Sequence, residues 1–126
     1  MKNWNGRRYN KKGYIEYEIK DGNGKVKEYY SNGELEFEGE YLNGLKHGNC
    51  KEYSNDGKKD FEGNYKNGQR NGIGKEYNYR KIRYEGEYKN GKRNGKGKEY
   101  NYDGELRFEG EYLNGKRNKR NECQIF

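Results

Sequence analysis

The sequence predicts an all-β chain: an elongated antiparallel meander of stacked β-hairpins, about ten short strands in all. Three observations carry this. A phrase of 23–24 residues recurs, as FEGEYLNGLKHGNCKEYSNDGKKD from Phe37, FEGNYKNGQRNGIGKEYNYRKIR from Phe61, YEGEYKNGKRNGKGKEYNYDGELR from Tyr84 and FEGEYLNGKRN from Phe108. Within each phrase aromatics alternate with glycine or a charged residue, the period-two pattern of a strand. Between the alternating runs stand Asn-Gly or Asp-Gly pairs, which tolerate positive φ and close hairpins.

The elements follow in order. In the second full unit Phe61, Gly63 and Tyr65 share one side, while Glu62 and Asn64 point to the other. The stretch Lys66–Gly72 reads as the turn, after which Ile73, Lys75, Tyr77 and Tyr79 alternate against Gly74, Glu76 and Asn78 as a second strand. Asp56-Gly57 and Asp103-Gly104 make the return turns to the next unit. In the third linker one residue is lost, where Lys81-Ile82-Arg83 replaces the Asp-Gly turn. Strands are expected near 5–10, 15–19, 25–30, 37–41, 49–54, 61–65, 73–79, 84–88, 96–102 and 108–112. At about 4.8 Å per strand the array extends roughly 45 Å. Each glycine between two aromatics leaves room for a ring to lie over the backbone. One hairpin alone is marginal, so stacked neighbours must share the aromatic layer.

The N-terminal third is the same phrase disguised. Residues Ile15–Gly22 align with Tyr84–Gly91, and Asn23–Tyr29 with Asn94–Tyr100. The array therefore divides into a half unit 1–14, a shortened unit 15–36, full units 37–60, 61–83 and 84–107, and a partial unit 108–122, with a tail 123–126. Nothing outside the array is long enough for a second domain.

Composition sets outer bounds. Of 126 residues 27% are hydrophobic and 39% charged, with no run of about 18 apolar residues to form a membrane helix. The start, Met-Lys-Asn-Trp-Asn-Gly, lacks the apolar stretch of a secretion signal. Two cysteines are too few for a disulfide scaffold, which favours a reducing, cytoplasmic setting. The net charge is +7, and glutamates are interspersed with the basic residues until Lys116, Arg117, Lys119 and Arg120 crowd together. The glutamates break up every other basic stripe and argue against nucleic acid as the partner.

The phrase resembles the MORN repeat family (membrane occupation and recognition nexus), whose pattern is close to Y-x-G-x-Y-x-N-G-x-x-x-G-x-G. Tyr84, Gly86, Tyr88, Asn90, Gly91, Gly95 and Gly97 match it, as do Phe37, Gly39, Tyr41, Asn43, Gly44 and Gly48, with Cys50 in place of the last glycine. In the leading unit Tyr17 replaces the glycine and Ile19 the second aromatic. The resemblance implies an elongated all-β array without catalytic activity, and links to membranes, phosphoinositides, scaffolding and protein contacts through an aromatic groove. Similar repeats occur in bacterial antitoxin-like proteins.

Several residues invite a functional reading. Tyr41, Tyr65, Tyr88 and Tyr112 form one column, and Tyr53, Tyr77 and Tyr100 another. They read either as the core or, in part, as an exposed protein-binding aromatic face. The end Cys123-Gln124-Ile125-Phe126 reads as a prenylation signal of geranylgeranyl type at Cys123, or as an arbitrary end with a free thiol. The adjoining Lys116, Arg117, Lys119 and Arg120 would supply the second, acidic-lipid contact that a single lipid chain needs. His47 is the lone histidine, without ligands or a nucleophile beside it in the phrase. Cys50 stands where Gly74 and Gly97 stand and reads as a small packing residue. Glu38, Glu62, Glu85 and Glu109 recur opposite the aromatic side and read as cross-strand partners of lysines. No catalytic constellation, metal site or cofactor is expected. The leading reading is a non-enzymatic scaffold that binds a protein and an acidic membrane. The alternatives are an antitoxin-like binding module and a protein that self-assembles through its open edge strands, near 5–10 and 108–112.

Overall fold

The computed structural model describes residues 6–9, 15–118 and 123–124. These residues form one 12-stranded sheet. Its strands are β1 (Gly6–Tyr9), β2 (Ile15–Ile19), β3 (Gly24–Tyr29), β4 (Leu35–Leu42), β5 (Leu45–Tyr53), β6 (Lys59–Lys66), β7 (Gln69–Asn78), β8 (Lys81–Lys89), β9 (Lys92–Tyr100), β10 (Leu106–Leu113), β11 (Lys116–Arg117) and β12 (Cys123–Gln124). Spatial order from β1 to β11 is sequence order, with β12 paired to β10. All ten expected strands are present. Among the described residues no helix is long and apolar enough to cross a membrane.

The hairpin turns are shorter than the sequence suggests. The expected turn Lys66–Gly72 is in fact two residues, Asn67-Gly68, at φ 52° and 81°. Lys66 already pairs with Gln69, so β7 begins four residues before Ile73. Both turn residues sit in the left-handed region, and that conformation matches the twist of the flanking strands. Asn43-Gly44, Asn90-Gly91, Asn114-Gly115 and Asp21-Gly22 repeat it. The residues left over stay in the ladder by bulging at Gly48, Gly72 and Gly95, which carry φ of 73°, 98° and 100°. Successive turns are tied together. The N–H of Gly68 donates to Lys46 O at 3.0 Å, that of Gly91 to Arg70 O at 2.9 Å and that of Gly115 to Arg93 O at 2.8 Å.

The return linkers are three-residue loops. Gly57 N–H donates to Ser54 O and Ser54 N–H to Lys58 O, and Gly33 and Gly104 repeat this with φ near 89° and 85°. The exception is the shortened linker. Asn78 pairs directly with Lys81, and the turn is Tyr79-Arg80, not Lys81-Ile82-Arg83. Tyr79 and Arg80 are held at φ 49° and 70°, where a side chain costs roughly 1–2 kcal/mol per residue.

The core lies on one face. Phe37, Cys50, Phe61, Tyr65, Tyr84, Tyr88, Phe108 and Tyr112 are buried together, with Ile19 and Val26 buried in the leading unit. Beneath the rings runs a row of small residues. Gly63 pairs with Cys50 and Gly74, and Gly86 with Gly74 and Gly97. A Cβ on Gly97 would fall 2.6 Å from Tyr84 Cε1, and one on Gly74 would fall 2.7 Å from Phe61 Cζ. The glycines are the floor on which the rings lie. Cys50 fills its glycine position at 0% exposure, as the packing reading expects.

The C-terminal edge is not open. Tyr112 and Leu113 of β10 pair with β11, and Phe108 and Glu109 pair with β12. The chain's own end thus covers the edge near 108–112 that self-assembly through that strand would require.

Candidate functional site

The seven tyrosines do not form one face. Tyr65, Tyr88 and Tyr112 are buried in the core and Tyr41 packs half-buried against it. Glu76 lies opposite Phe61 in the register, so Tyr77, one residue on, points to the other side of the sheet. There Lys59 Nζ lies 4.9 Å from the Tyr77 ring while bonding Glu62, and the Tyr100 hydroxyl donates to Glu85. Tyr53 holds the same place in its unit. The face read as a single binding surface is two surfaces.

On the core face the rings make one continuous edge-to-face chain. It runs Tyr41, Phe37, Tyr65, Phe61, Tyr88, Tyr84, Tyr112, Phe108, with centroids 5.1–6.3 Å apart and planes at 83–89°. Such pairs contribute about 0.5–1.5 kcal/mol each beyond the area they bury.

Three core tyrosines spend their hydroxyls on the Lys-Glu-Tyr glutamate of the preceding strand: Tyr65 donates to Glu52 at 2.5 Å, Tyr88 to Glu76 and Tyr112 to Glu99, whereas the Tyr84 hydroxyl donates to Glu87 O at 3.1 Å. An arginine two residues past the turns Asn67-Gly68, Asn90-Gly91 and Asn114-Gly115 completes the rung. Arg93 forks onto Glu76, with Nε to Oε2 and Nη2 to Oε1 both at 2.9 Å, and its Nη1 reaches Glu99 at 3.4 Å. Arg117 forks onto the two oxygens of Glu99 in the same way, and Arg70 brings Nε and Nη2 to the single Oε2 of Glu52 at 3.3 and 3.1 Å. Each guanidinium also stacks on a core ring. Arg70 is 3.9 Å from the Phe61 centroid, Arg93 4.2 Å from Tyr84 and Arg117 4.5 Å from Phe108. Planar, forked and weakly hydrated, the group suits both contacts.

The electrostatics follow from this geometry. Burial pushes the Tyr41 hydroxyl up to about 12, with the Glu28 carboxylate adding to it. Burial and then the facing glutamate push Tyr65, Tyr88 and Tyr112 up as well. Burial alone would raise Glu76, but the Arg93 fork and the Tyr88 hydroxyl outweigh it, and the carboxyl ends below its ordinary value. Glu99 ends lowered too, through Arg117 and Tyr112.

These rungs were not read from the sequence as partners. The signal was present, because Glu28, Glu52, Glu76 and Glu99 recur with the period and Lys46, Arg70, Arg93 and Arg117 recur with them. The rungs also reassign Arg117. Of the four residues read as a membrane patch, Arg117 is committed to Glu99 and Phe108, and Lys116 is exposed. Lys119, Arg120 and the Cys123 side chain lie outside the described residues.

The opposite face is striped by charge. Glu38 stands between Lys27 and Lys51, Glu62 between Lys51 and Lys75, Glu85 between Lys75 and Lys98, and Glu109 beside Lys98. Lys27–Glu38 and Lys98–Glu109 approach to 3.8 Å, and Lys59–Glu62 to 2.8 Å. The expected cross-strand pairing is thus seen at Glu38 and Glu109, whereas Glu62 pairs with Lys59 of its own strand and Glu85 accepts the Tyr100 hydroxyl. Behind the glycine row, two shallow troughs of about 850 and 590 Å3 open between the charged walls. Ile73, 59% exposed, stands in the second. Among the described residues no cluster of His, Cys, Asp and Glu could hold a metal ion.

No curated protein matches the chain. The MORN repeat matches residues 37–59, 61–78, 84–106 and 108–118, and a MORN repeat variant matches 22–43. With well over half its length so matched, and with each match falling on the hairpins described above, the chain belongs to the MORN repeat family.

Proposed function

We propose that this chain is a non-enzymatic scaffold: it binds a protein partner through the striped face and an acidic or phosphoinositide-containing membrane through its basic end. The observation that carries the first part is the division of labour between the faces. From the Glu52 rung onward the core face spends its rings, hydroxyls and guanidiniums on itself. The striped face keeps troughs open, with Ile73 exposed among the lysines and glutamates. Such a surface, repeated every two strands, suits an extended contact. The membrane part rests on the exposed Lys116 and on the sequence that follows it, where a lipid at Cys123 would be the second anchor.

Two measurements test the two parts. In flotation with phosphatidylserine and phosphoinositide vesicles, charge reversal at Lys116, Lys119 and Arg120 is expected to abolish binding, whereas Arg117 is left intact because it holds Glu99. Unchanged flotation removes the tail from the mechanism. In pull-downs from native cells, Ile73→Asp is expected to release the partner without changing the unfolding midpoint. Full recovery of the partner would place the contact elsewhere.

A further inference from the structure

The leading end of the core face carries a rung built differently from the others. Glu28 is the counterpart of Glu52, Glu76 and Glu99, and it accepts the Tyr41 hydroxyl at a long 3.3 Å. The residue due to fork onto it is Lys46, in the place held by Arg70, Arg93 and Arg117. Its ammonium sits 4.4 Å from the Phe37 centroid and 5.9 Å from that of Tyr65. Among the described residues it makes no ion pair with Glu28. A compact ammonium satisfies the ring, while a planar fork would have satisfied both ring and carboxylate.

A cavity of about 270 Å3 opens at this place. Phe37, Tyr41 and Tyr30 form its aromatic wall, and Glu28, Glu36 and Asp60 line it without an ion pair among the described residues. Glu52, also on the wall, is already held by Arg70 and Tyr65. At the positions of Glu36 and Asp60 the later units carry Arg83 and Arg107, so acid collects only at this end. Lys46 and Arg70 line the cavity as well, but the four carboxylates of Glu28, Glu36, Glu52 and Asp60 outnumber these two cations. Burial raises the Asp60 carboxyl, Asp56 and Glu52 raise it further, and Arg70 lowers it.

We propose that this cavity is a docking site for an arginine side chain on a basic segment of the protein partner, seated against the rings of Tyr30 and Tyr41 and the carboxylates of Glu28, Glu36 and Asp60. The inference rests on the scaffold reading and gives that partner a chemistry. Its template is the chain itself, which three times places a guanidinium between an aromatic ring and the equivalent glutamate. Charge complementarity supplies the second argument. The chain as a whole is +7 and repels cations, so capture of a basic peptide requires a local acidic seat.

The test uses the whole chain and a fluorescein-labelled Gly-Arg-Gly-Arg-Gly peptide, followed by anisotropy, with the citrulline and lysine analogues as comparisons. The arginine peptide is expected to bind at least tenfold tighter than citrulline, and tighter than lysine. Glu28→Gln should weaken it about tenfold. Lys46→Arg is the decisive variant. By filling the rung from within it should raise the melting temperature by about 4 °C and remove peptide binding. Equal binding of arginine and citrulline peptides overturns the proposal. So does a stabilised Lys46→Arg variant that still takes the peptide. A chain that captures its partner in pull-downs yet ignores the arginine peptide refutes this inference alone. Ile73→Asp, remote from the cavity, is expected to leave peptide binding unchanged, and loss of peptide binding in that variant overturns the placement.

Discussion

At the scale of single residues, the tyrosine is the working part of this molecule. A phenylalanine would supply the ring, but the hydroxyl gives the buried end of each glutamate a donor, and the glutamate in turn fixes an arginine. This wiring makes stability depend on alkaline pH. Unfolded tyrosine titrates near 10. In the folded chain Tyr41 and Tyr84 are raised to about 12, and Tyr65, Tyr88 and Tyr112 are also raised. Below pH 10 both states keep the proton and the stabilisation is fully present. Above it the unfolded chain gives the proton up while the folded chain holds it, so stability falls with rising pH. The urea midpoint, followed by circular dichroism, should therefore be level from pH 7 to 9 and decline from 10 to 12. The double variant Tyr41→Phe with Tyr88→Phe should decline less steeply. A midpoint level to pH 12 would show that the hydroxyls are not held as described.

At the scale of the element, the turn decides what the strand can do. The sequence marked every Asn-Gly as a turn, but gave the loop seven residues, from Lys66 to Gly72. The true loop is two residues, with the surplus absorbed at the bulge glycines. The difference is not cosmetic. A two-residue turn fixes which side of the sheet the next side chain takes, whereas a long loop does not. With the longer loop the side taken by Tyr77 is left open; with the two-residue turn it lies on the reverse of Tyr65. The Tyr79-Arg80 turn is the converse case, where the geometry of Asn-Gly is imposed on residues that resist it. Replacing Tyr79 by Asn and Arg80 by Gly should stabilise the chain by roughly 2 kcal/mol, read as a higher urea midpoint at unchanged slope. Tyr79 is 71% exposed, so little packing is lost with it beyond the approach of Lys58 to its ring. A lower midpoint would mean that this contact outweighs the backbone strain.

At the scale of the whole molecule, the sheet grows by one hairpin at a time, and the problem of such a sheet is its edges. At the C-terminal side β11 and β12 cover β10 from the same chain. Ending the chain after Gly115 would uncover that strand. Sedimentation velocity should then show a mass that rises with concentration, while the full chain stays at one value over the same range; a truncated chain that also stays constant would show that the cover is dispensable. The same end carries Cys123 and the basic residues, so any lipid or membrane contact made there shares its segment with the edge cover.

The period, the alternation and the Asn-Gly pairs were enough to specify strands, their order, the glycine floor and the packing role of Cys50, because each is a local preference repeated until neighbours can share a core. They did not specify who meets whom across two strands. Arg93 finds Glu76 at a separation of 17 residues, over the ring of Tyr84, only once three consecutive strands lie in register. Register likewise sent Tyr77 and Tyr100 to the reverse face and drew Arg117 out of the basic tail onto Glu99. Charge and ring chemistry are written in the chain. Their pairing is a matter of distance, and distance exists only in the folded sheet.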